Sequence, residues 1–254
     1  MEFFDERSAE YTAAFRTLLR CNRDRHPAQL AMLAEICAGR PRTTRSVDWG
    51  AGTGSLTSAL CARFDTVYAV EPSAHMREHL ARAAPSAQRI AGTLESVTLP
   101  EPCGVALLSH VLYHVPDHLW GEAAIRCARQ LTPDGVLMIA LKHPVTGCNA
   151  MLEAFGAPPY DLYRLAETFR SHPELTLELR AAPGGVATTS LADTLAIARF
   201  VLFDRTPASF TRLPTEEEFV AYVRSHFWDE ARGQGGWDLP QVFALVRPNP
   251  TWRR

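Results

Sequence analysis

The segment Ser46-Val47-Asp48-Trp49-Gly50-Ala51-Gly52-Thr53-Gly54-Ser55, followed by Val67-Tyr68-Ala69-Val70-Glu71, leaves this chain few possible folds. An apolar run enters a turn with three glycines; a helical stretch follows, then a second apolar run ending in a carboxylate. That is a strand–turn–helix–strand unit. The glycines let the backbone turn sharply and approach a ligand. The acid 21 positions after Gly50 is placed for ribose hydroxyls, so a nucleoside cofactor is expected.

Which nucleoside follows from details of the turn. A dinucleotide fingerprint wants Gly-x-Gly-x-x-Gly or Ala, but here the third glycine, Gly54, comes one place early and Ser55 takes the expected position. Asp48 also precedes the first glycine by two places. A carboxylate there attracts a cofactor bearing an ammonium or sulfonium more than one bearing two phosphates. Asp-x-Gly-x-Gly-x-Gly with Val70-Glu71-Pro72 after it resembles motif I of the class I S-adenosylmethionine-dependent methyltransferases. A dinucleotide oxidoreductase holding NADH on Glu71 is the alternative from another class, and a tight turn without ligand is the third.

The flanking pattern fits an α/β fold. Residues 8–38 read helical and 39–45 as a polar linker. Strands are expected at 46–49, 66–71, 87–91, 104–109 and 135–141, alternating with helices at 54–63, 73–83 and 117–131. Pro133-Asp134-Gly135 is expected to be the turn before the fifth strand. Such alternation predicts a doubly wound, Rossmann-like parallel sheet with right-handed crossovers. Beyond it, 151–171 reads helical, 175–179 as a strand, Pro183-Gly184-Gly185 as a turn, 191–204 and 215–228 as helices, and 241–246 as a last strand. The stretch between the final two strands exceeds an ordinary connection. It is expected to be a helical insertion before the final strand, a substrate cap at about 186–236. Residues 1–40 form an N-terminal helical lid in this reading, and 41–254 the catalytic domain.

Composition narrows the partners. With 254 residues, 46% of them hydrophobic, the chain can bury one substantial core. A net charge of −2 gives no basic footprint for nucleic acid. Lys142 is the single lysine, and arginine carries the remaining positive charge. The six cysteines show no Cys-x-x-Cys spacing and read as reduced thiols rather than disulfides or a zinc site. The charged N-terminus lacks a signal core, and no run approaches the roughly 20 apolar residues of a membrane span. A cytoplasmic protein without membrane or nucleic-acid partners is expected.

In such sheets ligands bind beyond the carboxyl ends of the strands. Asp48, Gly50, Ala51, Gly52 and Gly54 follow strand one, and Glu71 and Pro72 end strand two. Thr93 and Leu94 follow strand three, and Ser109 ends strand four. Glu71 is expected to accept from both ribose hydroxyls, and Asp48 or the nearby glycine carbonyls to hold an ammonium. Pro72, Ser73 and Met76 should flank the base, with Thr93, Leu94 and Glu95 bordering it. Each position has a plainer role open to it: a strand-end charge, a helix N-terminal acid, core, or loop.

His110, Tyr113 and His114 follow strand four, where a transferable methyl group should point. Methyl transfer is an in-line displacement with a neutral leaving group, so the acceptor needs an aligned, unprotonated lone pair rather than an acid. A histidine titrating near neutrality serves as the base, and Tyr113 orients the acceptor. His110, His114 and His118 also have the spacing of helix-borne metal ligands, but Pro116 interrupts the stretch and no carboxylate motif joins it, so no metal is assigned.

Further segments are similar to histamine N-methyltransferase and its bacterial small-molecule relatives. They are Tyr11-x-x-x-Phe15-x-x-x-Leu19, Val70-Glu71-Pro72-Ser73-Ala74, Val111-Leu112-Tyr113-His114-Val115-Pro116-Asp117 and, by spacing, Leu152-x-x-Phe155-Gly156. The resemblance implies a seven-stranded sheet whose last strand is antiparallel, S-adenosylmethionine as donor and a small-molecule acceptor. It places Tyr11, Phe15 and Asp24 in the acceptor site, Asp24 against a substrate amine. His110 stands where the family has a glutamine, and His114 where it has a pocket tyrosine. The last third does not follow the family. The expected activity is N-methylation of a small nitrogen-containing or aromatic metabolite in bacterial specialised metabolism, by a monomer or homodimer. C-methylation of an indole-type ring and O-methylation are the alternatives.

Overall fold

The computed structural model describes residues 9–22, 24–205 and 207–249. Its residues fall into two compact units. One takes its described residues from Met1–Ala28, Lys142–Asp161 and Ala181–Gln241; the other from Gln29–Leu141, Leu162–Arg180 and Val242–Arg254.

The second unit is built on a seven-stranded sheet of order β3-β2-β1-β4-β5-β10-β6. The strands are β1 (Ser46–Trp49), β2 (Val67–Val70), β3 (Gln88–Ile90), β4 (Cys103–Ser109), β5 (Leu131–Lys142), β6 (Leu175–Ala182) and β10 (Gln241–Pro248). β1 pairs parallel with β2 and β4, β2 with β3, and β4 with β5. The sheet is mixed, with one antiparallel strand, and the last strand of the chain, β10, enters between β5 and β6. β4 is wholly buried except at Ser109, as expected of an apolar run covered on both faces. The interleaved helices are α3 (Ser55–Cys61), α4 (Ala74–Ala83) and α5 (Trp120–Ala128), with α2 (Arg25–Ile36) before the sheet and α7 (Leu165–Arg170) before β6.

The fifth strand begins earlier than expected. Cys103 pairs with Leu131 and Val105 with Val136, so Thr132-Pro133-Asp134-Gly135 bulges within β5 instead of preceding it. Proline cannot donate to the ladder, and a bulge tolerates it. α5 is also shorter than the expected 117–131, because Asp117–Leu119 forms a separate 3-10 turn.

The first unit contains α1 (Ala9–Cys21), α6 (Gly147–Ala154), α8 (Leu191–Leu202) and α9 (Glu216–His226). It also holds an antiparallel three-stranded sheet, β7 (Gly185–Thr188), β9 (Gln234–Asp238) and β8 (Trp228–Asp229). The insertion before the last strand is thus not purely helical. The expected helix over 151–171 is broken as well: α6 ends at Ala154, Pro158-Pro159 prevent continuation, and helix resumes at a 3-10 turn from Leu162. Within 8–38 the described residues form two helices, α1 and α2. No described helix is long and apolar enough to cross a membrane.

Candidate functional site

The carboxyl ends of β1, β2 and β4 lie side by side at the centre of the sheet, where strand order reverses. The turn after β1 is set by its glycines. Gly50, Gly52 and Gly54 have φ of +70°, +54° and +90°, the left-handed region. A Cβ on Gly50 would lie 2.4 Å from Val111 Cγ2, and one on Gly54 2.8 Å from Leu80 Cδ1. These two glycines are required by packing. Gly52 differs: a Cβ there would meet nothing nearer than the Gly50 carbonyl at 4.0 Å. The middle of the turn therefore faces open space, as a backbone that cradles a ligand must.

Two carboxylates flank this cradle. Glu71 is buried, and its Oε2 accepts from the Gly52 N–H at 2.9 Å while Oε1 accepts from the Ser73 N–H at 2.9 Å. Each oxygen keeps a lone pair for a hydroxyl donor. Arg77 donates to the Glu71 and Pro72 carbonyls, fixing the strand end against α4. Asp48 is 3% exposed, and its Oδ2 accepts from the Thr57 hydroxyl at 2.7 Å. Burial, with Glu71 adding to it, pushes the Asp48 carboxyl up to about 7, against the pull of Thr57. Two acids at one end of the site favour a cationic ligand.

His110 follows β4 in a left-handed conformation, φ +58°, which a residue with a Cβ adopts at a cost. Its N–H extends the sheet ladder to the Ala140 carbonyl at 2.9 Å. Its Nδ1 lies 3.2 Å from the Tyr113 hydroxyl. Val111, next in the chain, covers Gly50. The β4 loop is thereby locked onto the glycine turn, with His110 and Tyr113 side by side. His114 closes the 3-10 turn Leu112–His114 and is exposed.

The other expected positions divide. Ser109 accepts from the Gln29 amide at 3.0 Å. Met76 is half-buried on the first turn of α4, Pro72 and Thr93 are exposed, and Leu94 is buried. Ala51 is buried and donates to the Val70 carbonyl. Asp24, Tyr11 and Phe15 belong to the first unit, whereas the residues above belong to the second. Asp24 is an exposed turn residue. Phe15 packs on Phe200 with ring centroids 5.7 Å apart. Tyr11 lies on α1, and its side chain is outside the described residues. Among the described residues no three His, Cys, Asp or Glu gather as metal ligands.

Four supporting residues escaped sequence reading: Thr57 on Asp48, Gln29 on Ser109, Arg77 on Glu71, and Arg126, which donates to the Leu94 carbonyl at 2.8 Å. Only Thr57 left a trace, as a polar residue on the otherwise apolar inner face of α3.

Residues 47–139 match the family described as methyltransferase domain. An uncharacterized methyltransferase of Geobacillus kaustophilus is 32% identical over 102 residues, covering 37% of this chain and 45% of that protein. Another from Exiguobacterium sibiricum is 36% identical over 94 residues, 37% of this chain and 44% of its own length. The chain thus spans under half the length of these relatives. Among solved structures, N-methyltransferase NodS from Bradyrhizobium japonicum in complex with S-adenosyl-L-homocysteine superposes with a TM-score of 0.54. It is 12% identical and covers 95% of this chain and 99% of its own. A TehB-like SAM-dependent methyltransferase from Corynebacterium glutamicum gives 0.52 at 15% identity, covering 94% and 96%. At these identities the likeness is one of fold.

Proposed function

We propose, from the premise that residues 47–139 are a methyltransferase domain of the class I type, that the whole protein methylates a small nitrogen-bearing acceptor using S-adenosylmethionine. One observation carries the reading: Glu71, held by the amides of Gly52 and Ser73, stands beside a left-handed glycine with open space before it. The residues fit the donor. Glu71 has a lone pair on each oxygen for the ribose hydroxyls, Gly52 admits close approach, and Asp48 supplies negative charge for the amino-acid end. A pyrophosphate on the same turn would meet two carboxylates instead of cations, which disfavours NADH.

When bound, the donor supplies an electrophilic methyl group on a cationic sulfur. The chain's own contribution is alignment and proton removal. His110, paired with Tyr113 through Nδ1, is the base that takes the acceptor's proton. Tyr113 fixes the imidazole, and the strained backbone at His110 sets its direction. His114 flanks them. The similarity of the motif segments to histamine N-methyltransferase supports an amine acceptor. Action within the cytoplasm on a metabolite, without nucleic acid, completes the reading.

The test is to incubate the protein with methyl-labelled donor and a panel of small amines, indoles and phenols. Label on nitrogen is expected. Label on carbon or oxygen replaces the acceptor assignment, and no transfer to any acceptor, despite donor binding, refutes catalysis.

A further inference from the structure

We propose that Thr57 is a positioning residue for the Asp48 carboxylate, and that docking of the cationic donor expels a proton that Asp48 carries in the ligand-free protein. The inference rests on reading this turn as the S-adenosylmethionine site. Its geometry is specific. Asp48 is almost wholly buried on β1, and Thr57 is 0% exposed on the inner face of α3. The glycine turn brings that face back over the strand, so that Oγ1 meets Oδ2 at 2.7 Å.

The elements packed on β1 are β2, β4 and α3. β2 brings Tyr68, β4 brings Cys103 and α3 brings Cys61. Tyr68 and Cys103 are both held in their neutral forms by burial. Beyond the strand ends stand Glu71 and His110. Glu71 acts on Asp48 with like charge, and the Thr57 hydroxyl pulls the other way. The Thr57 hydroxyl is therefore what favours the ionised carboxylate before a ligand arrives. The elevation of Asp48 to about 7 is consistent with this placement. A donor bearing positive charge supplies what the protein lacks. Asp48–COOH then ionises, its O–H bond breaks, and the proton passes to the buffer.

Calorimetric titration with S-adenosylmethionine, in buffers of different ionisation enthalpy from pH 6 to 9, counts the protons released. The wild type is expected to release most of one proton at low pH and little at pH 9, apart from the ligand's own amine, which contributes equally to every variant. Thr57→Val should shift the midpoint of release upward and weaken binding about tenfold at pH 7, the size of a lost hydrogen bond to a charged group. The difference should close toward pH 9, and Thr57→Ser should restore the wild-type profile. Binding without proton release in the wild type overturns this inference alone, whether or not the valine variant folds. So does a valine profile identical to the wild type's. Absence of donor binding by the wild type overturns the site reading, and this inference with it.

Discussion

Asp48 shows most clearly how one residue serves two ends. Its folded-state carboxyl titrates near 7, above the ordinary carboxylate value near 4. A raised acid contributes most to stability below about pH 4, and that contribution is lost as pH climbs through 7. Asp48→Asn should therefore unfold at higher temperature than the wild type at pH 8, by an equivalent of about 4 kcal/mol, with the gap closing below pH 4. Thermal melts across pH check this; a gap that widens on acidification contradicts it. The same variant should bind donor poorly, so the charge is retained at the expense of the ligand-free fold. Glu71→Ala should weaken donor binding by about 1.5–3 kcal/mol, read from dissociation constants, since two hydroxyls lose a charged acceptor. At His110 the backbone and the ring can be separated. His110→Gly relieves the left-handed strain and should stabilise the fold by up to ~1 kcal/mol in denaturant titrations. Turnover should nonetheless drop about a hundredfold or more, with donor affinity intact. A parallel loss of donor affinity would place His110 against the donor.

At the level of elements, the sequence speaks clearly where one rule acts alone. β1, β2, α3 and α4 were legible because a continuous apolar run, a glycine turn and a helical stretch follow one another without conflict. Gly54 ties these elements together: it caps α3 at φ +90° and lies against Leu80 and Ala83 of α4. Gly54→Ala should cost more than the ~1 kcal/mol of a left-handed alanine, because Leu80 must also move. Chemical denaturation measures the excess. Where rules competed, reading failed. Pro133-Asp134-Gly135 has turn composition, yet pairing of Leu131 with Cys103 keeps it inside β5 as a bulge. β7, β8 and β9 escaped notice because they are short, and β9 contains two glycines, so neither length nor alternation announces a strand. The glycine turn, Glu71 and the His110–Tyr113 segment were legible in the site. Thr57, Gln29, Arg77 and Arg126 were not, because long-range hydrogen bonds leave no periodic mark in a chain.

Across the whole molecule, each unit has its own polar anchor. In the first, Lys142 pairs with Asp204 at 3.0 Å, and Lys142 and Arg205 both lie over the Tyr160 ring, whose hydroxyl donates to the Asp204 carbonyl at 2.5 Å. The chain's single lysine is thus spent on structure. Lys142→Met leaves Asp204 without its ammonium in a largely buried setting and should cost about 3–5 kcal/mol in a melt; pairing it with Asp204→Leu should recover much of that. In the second unit the anchor is the Asp48–Thr57 pair beneath the glycine turn, and the chemistry of the protein depends on what that turn admits. The most direct measurement is equilibrium titration of the purified protein with S-adenosylhomocysteine and, separately, with NADH. Micromolar binding of the first, weakened by Glu71→Ala, and no binding of the second is the predicted result. Binding of NADH with none of S-adenosylhomocysteine would contradict it.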